Sequence, residues 1–167
     1  MDMGQEVHNI EIHVEMTPVV NYALQQNRLP VIREVVLQNN AETELTNAVL
    51  RIRSEPQIVS AFSQPISSVP AGTPFSVKNI SLTLDAKLLT SLTERVVGAL
   101  HVSLESDGTV LSEVQHEFIA LAFDEWHGPT FFPDLLTAFV TPNHPEIVKI
   151  NAKAAELMEH WSGDPSL

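Results

Sequence analysis

The sequence predicts a mainly β chain, an immunoglobulin-like antiparallel β-sandwich over residues 1–127 followed by a helical extension over residues 128–167. Three observations lead there. Ile10, Ile12, Val14 and Met16 alternate with Glu11, His13 and Glu15, the period-two pattern of a strand with one wet face. Asp107-Gly108 lies between two further alternating runs and is a strong hairpin signal, because both turn positions need positive φ. Turn signals then recur roughly every ten residues up to Gly128-Pro129, where the apolar period changes from two to the three-and-four spacing of a helix.

The strands follow in order. Thr17-Pro18 ends or bends the first one, and Val19–Leu24 is expected to resume it as an edge strand. A polar connection, Gln25–Pro30, leads into Val31–Arg53, VIREVVLQNNAETELTNAVLRIR, the centre of the fold. Its first half is β-branched and aliphatic, as in a strand with both faces at least partly buried. Gln38-Asn39-Asn40 is turn chemistry, since Asn tolerates left-handed backbone and bonds its own main chain. In its second half Ala48, Leu50 and Ile52 alternate with Val49, Arg51 and Arg53. Arg51 and Arg53 either bind an anion or are solvated charge on an outer face, and the alternation favours the second.

Ser54-Glu55-Pro56 marks a turn, and Ile58–Ile66, broken by Pro65, reads as an edge strand. After the turn cluster Ser67–Pro74, Phe75 and Val77 sit on one parity while Ile80, Leu82 and Leu84 sit on the other, which predicts a β-bulge at Lys78-Asn79. Asp85–Leu92 is expected to form a short helical turn. The hairpin strands run over Thr93–Ser106 and Thr109–Phe123. Beyond Gly128-Pro129, a short helix is expected over about 133–140 and a long one over about 145–162, with His144 at its N-cap and Pro145 at its first position. Ile147, Ile150, Ala154, Leu157, Met158 and Trp161 form one apolar stripe on the long helix. That stripe is expected to pack on the sandwich or on Phe131 and Phe132. Asp164–Leu167 reads as a linker to further protein.

Composition bounds function. Twenty-one acids against nine bases give a net charge of −12, so neither nucleic acid nor an anionic membrane surface is an expected partner. There are no cysteines, which removes disulfides, thiolate metal sites and thiol catalysis and fits a cytoplasmic protein. The first sixteen residues show neither a basic nor an apolar signal region, and no apolar run approaches the ~20 residues of a membrane helix. Asn79-Ile80-Ser81 matches a glycosylation sequon by chance.

No catalytic, cofactor-binding or metal site is expected. The seven histidines contain no H-x-H or H-E-x-x-H. Glu156 and His160 lie four apart on one helix face but lack a third ligand. Counting out from the Asp107-Gly108 turn sets His101 opposite Val114, with His116 a diagonal neighbour on the same face, so both histidines are expected to be solvated on the outer face. Nucleophile elbows and phosphate-binding glycine loops are absent from the sequence. The richest polar-aromatic cluster is Asp124-Glu125-Trp126-His127 at the sandwich exit. Those four residues and Trp161 are the candidate partner or ligand surface. Trp126 there either covers the open end of the sandwich or, with His127, binds a small sugar or peptide.

The segments Ala122–Gly128 (AFDEWHG) and Leu135–Pro145 (LLTAFVTPNHP), with Val20–Asn27 and Leu82–Leu100, resemble the N-terminal region of very large bacterial helicase-like proteins. The resemblance covers nearly the whole chain, and F-V-T-P-N-H-P is its most specific part. Those proteins begin with a domain of unknown function. It is followed by a transglutaminase-like segment, a superfamily-one helicase motor and sometimes a nuclease-like end. The resemblance implies a non-catalytic interaction or scaffolding module in a DNA-processing or defence-related protein. Its partners would be downstream domains or a second copy. The later ATP-binding and catalytic motifs do not occur in these residues, so no catalytic residue carries over.

Overall fold

The computed structural model describes residues 9–125 and 144–162. The chain divides into two compact units, Met1–His127 and Gly128–Leu167. The first is mainly β and the second carries a C-terminal helix. The expected short helix over 133–140, together with Phe131 and Phe132, lies outside the described residues.

The β unit contains β1 (Ile10–Met16), β2 (Val19–Val20), β3 (Ile32–Asn39), β4 (Leu45–Glu55), β5 (Phe62–Val69), β6 (Phe75–Lys78), β7 (Val96–Ser106) and β8 (Thr109–Ala120). They form two sheets. A three-stranded sheet has the order β1-β3-β6, and a five-stranded sheet has the order β2-β8-β7-β4-β5. All pairings are antiparallel except β2 with β8.

The alternation read in β1, β4 and β7 is realised as burial, and β3 and the end of β8, read as apolar on both faces, also bury alternate residues. Ile10 and Ile12 of β1, Val35 and Leu37 of β3, and Ala48, Leu50 and Ile52 of β4 are buried. So are Leu100, Val102 and Leu104 of β7 and Phe118 and Ala120 of β8. Charged residues hold the opposite parity in β4, so the apolar face is removed from water while the charged side chains stay hydrated.

The polar turn after β3 carries the chain from one sheet to the other, because β3 and β4 belong to different sheets. Asn39 makes this possible. It is fully buried, and its side-chain amide nitrogen donates to the carbonyls of Thr43 (2.8 Å) and Val69 (3.2 Å). Its side-chain oxygen accepts from the Ala41 N–H (3.1 Å), and its main-chain carbonyl accepts from Gly72 N–H (2.8 Å). Where the strand leaves its sheet, one side chain thus supplies the bonds that a neighbouring strand would otherwise give.

Three expectations are corrected. The edge strand over Val19–Leu24 is only Val19–Val20, and a helix, α1 (Tyr22–Gln26), follows it. Asn21 diverts the chain: it caps α1, its side chain accepting the Leu24 N–H at 2.9 Å, while Ala23 and Leu24 turn into the core. Second, the change of parity after Val77 is no bulge. β6 ends at Lys78, and Asn79 turns the chain in left-handed backbone (φ 58°). Ile80 and Leu84 are nonetheless buried, and Leu84 bridges Val59.

The third correction concerns the hairpin. Asp107 and Gly108 have φ of 49° and 78°, as the turn requires. Ser106 faces Thr109 and Glu105 faces Val110, but Leu104 faces Ser112. The irregularity beside Glu105 shifts everything beyond it by one residue, so His101 faces Gln115 and His116 faces Leu100.

The short helical turn forms as expected: α2 (Ala86–Ser91) is capped by Asp85, whose carboxylate accepts the Leu88 N–H at 3.0 Å. In the second unit, α3 spans Pro145–Ser162. His144 is its N-cap: the His144 carbonyl accepts the Val148 N–H (3.0 Å) and its ring Nδ1 accepts the Glu146 N–H (3.2 Å). No described helix is long and apolar enough to cross a membrane.

Candidate functional site

Beyond β8 the chain stays buried through Leu121 and Ala122 and reaches the surface at Phe123, whose ring lies 5.5 Å from that of Tyr22. The two carboxylates there have separate fates. Asp124 is exposed. Glu125 accepts from Arg95 Nε (2.6 Å) and from the Ala122 N–H (3.4 Å). The Glu125 carboxylate raises the basicity of the Arg95 guanidinium, through their hydrogen bond first and their opposite charges second. Phe123 N–H donates to the Leu92 carbonyl at 2.9 Å. The described part of the corner therefore ties the exit of β8 to the segment preceding β7. Trp126 and His127, the aromatic half of the candidate surface, lie outside the described residues.

The outer face of the five-stranded sheet carries the two arginines, each with its own carboxylate. Arg51 Nε donates to Glu105 Oε2 at 2.7 Å and Arg53 to Glu113 Oε1 at 3.0 Å. The same Glu113 oxygen lies 3.2 Å from His101 Nδ1. The alternative of an anion site gives way to the outer-face reading, because both guanidiniums are already neutralised from β7 and β8.

The one-residue shift in the hairpin separates the two histidines. His101 is on the outer face with Glu113 and Gln115, while His116 has the parity of the buried face opposite Leu100. The expectation of two solvated histidines is corrected: His116 Nε2 is buried and has no hydrogen-bond partner among the described residues. No group of three or more His, Asp or Glu is placed for a metal ion among the described residues. Glu156, paired in sequence with His160, instead takes the Lys153 ammonium at 2.6 Å.

Within α3, Ile150, Leu157 and Trp161 recur at helical spacing and are exposed, Trp161 by 83%. Lys149–Glu146 and Lys153–Glu156 form ion pairs three residues apart on the same helix.

A further feature had no signature in the sequence. A cleft of about 400 Å³ in the β unit is lined by residues 25, 28–30 and 79–84, which meet from two distant segments. Gln25 Oε1 accepts the Leu84 N–H at 2.9 Å and joins them. Arg28 (φ 54°) and Asn79 (φ 58°) both hold left-handed backbone, which is uncommon for an arginine.

No protein-family model matches the chain, and no curated protein matches it.

Proposed function

We propose that the β unit is an immunoglobulin-like sandwich acting as a non-catalytic interaction or scaffolding module, the N-terminal accessory domain of a larger DNA-processing or defence-related helicase-like protein of the cytoplasm. The fold part is supported by the strand order. β1-β3-β6 and β2-β8-β7-β4-β5 follow the order A-B-E and A′-G-F-C-C′ of immunoglobulin-type domains, with the first strand changing sheets at Thr17-Pro18. The helicase context is supported by the AFDEWHG and FVTPNHP segments.

The observation that carries the interaction reading is α3. Ile150, Leu157 and Trp161 expose apolar surface at one helical spacing, and a stripe of this kind marks a protein contact. The occupant is the remainder of the larger protein. The test is sedimentation velocity of the chain mixed with the remaining domains of a helicase-like protein of the resembled family, made separately. The expected result is a complex that Leu157→Asp and Trp161→Ala weaken while the β circular dichroism is unchanged. A chain that does not bind, or that binds equally well with both substitutions, overturns the reading.

A further inference from the structure

The cleft formed by residues 25–30 and 79–84 differs in charge from the rest of the molecule. The chain has 21 acids and 9 bases, yet the lining holds one cation, Arg28, and no carboxylate. Arg33, Arg51, Arg53, Lys78, Arg95, Lys149 and Lys153 each have an acidic partner. Among the described residues the two others, Arg28 at the cleft and Lys87 on α2, have none, and both are exposed. The Arg28 backbone is held in the left-handed region, which an arginine seldom adopts, while Asn79 across the cleft holds the same region as asparagines readily do. At Arg28 such a conformation persists only where the surroundings impose it, and strain of that kind gathers at binding sites.

The chemistry of the walls narrows the occupant. Ile80 and Leu84 are buried and give an apolar floor. Between them, the main-chain groups of Ile80, Ser81 and Leu82 make no hydrogen bond among the described residues, although Thr83 and Leu84 on the same segment do. An exposed sheet edge is a template for a partner strand because its N–H and C=O groups are unpaired, and Ile80–Leu82 offers the same unpaired groups although it lies outside the strands. At ~3.3 Å per residue it accommodates about three residues of an extended peptide. The volume of about 400 Å³ falls within the ~300–1,000 Å³ range of small-ligand sites.

We propose that this cleft binds the C-terminal end of an extended peptide, with Arg28 receiving the free carboxylate, the main chain of Ile80–Leu82 pairing with the peptide backbone, and Ile80 and Leu84 holding an apolar side chain. An inorganic phosphate would satisfy Arg28 but would leave the apolar floor and the unpaired main chain without a role. This proposal stands apart from the reading of α3, and its failure would leave that reading untouched.

The experiment is an amide-resolved NMR titration of the full chain with N-acetylated tetrapeptides ending in leucine, valine, phenylalanine or lysine. Each is compared with its C-terminal amide and with 4-methylpentanoate, a small acid of the same aliphatic character. A free-acid peptide is expected to shift Arg28, Ser81 and Leu82 saturably, and its amide to bind about ten-fold more weakly, since a charge-assisted contact is lost. Arg28→Asn suits left-handed backbone and so preserves the fold. It should weaken the free acid by a similar factor and leave the amide unchanged. Four results overturn the proposal: no saturating response to any of the four peptides, equal binding of acid and amide, 4-methylpentanoate binding as tightly as the best peptide, or shifts confined to residues outside the cleft.

Discussion

The two faces of the five-stranded sheet are built from the same strands and differ in almost everything else. One face is Leu50, Ile52, Leu100, Val102, Leu104 and Phe118, all buried. The other is Arg51 with Glu105, and Arg53 with Glu113 and His101, with both arginine side chains more than half exposed. Buried apolar area is removed from water at roughly 25 cal/mol per Å². An exposed ion pair contributes about 0–1 kcal/mol, since water already solvates both charges. Stability therefore sits on one face, and the other tolerates change.

The largest expected effect is on the apolar face. Leu50→Ala, at a fully buried position of a central strand, should lower unfolding stability by about 2–5 kcal/mol, measured by urea denaturation. A loss below ~1 kcal/mol would mean that this face is not the core. A smaller change tests how tightly the same face is packed. A Cβ at Gly98 would lie 2.5 Å from the Phe118 ring, and that ring is buried with little room to move. Gly98→Ala should cost about 1–3 kcal/mol despite adding only a methyl group. The smallest effect belongs to the polar face: Arg53→Ala should change stability by less than ~1 kcal/mol, and that difference should shrink further in high salt. A loss as large as that of Leu50→Ala would erase the distinction between the faces.

Strands and turns with local chemistry were legible in the sequence. β1 followed from strict alternation, the β7–β8 turn from Asp107-Gly108, α2 from Asp85, and the start of α3 from His144-Pro145. The solvated side of β4, with Arg51 and Arg53, followed from the same alternation. Errors arose where one residue redirected the chain. Asn21 converted an edge strand into a helix, and Asn79 ended a strand where a bulge was expected. One shift beside Glu105 turned His116 to the buried parity. At the strand exit the sequence placed Asp124 and Glu125 together, but not the Arg95 that takes up one of them from 30 residues away. The cleft was not legible at all, because its two walls are about fifty residues apart and neither has a pattern that anticipates the other.

By itself the sequence determined the mainly β character, the faces of β1, β4 and β7, and the capped helices α2 and α3. Periodicity, turn propensity and capping act over a few residues and need no knowledge of distant partners. Tertiary structure alone decided which strands share a sheet, that the chain crosses between sheets at Asn39, which carboxylate answers each arginine, and that Arg28 meets Ile80–Leu82 across a cleft. These depend on contacts between residues far apart in the chain, whose pairing is selected by the joint burial of apolar faces rather than by any local preference.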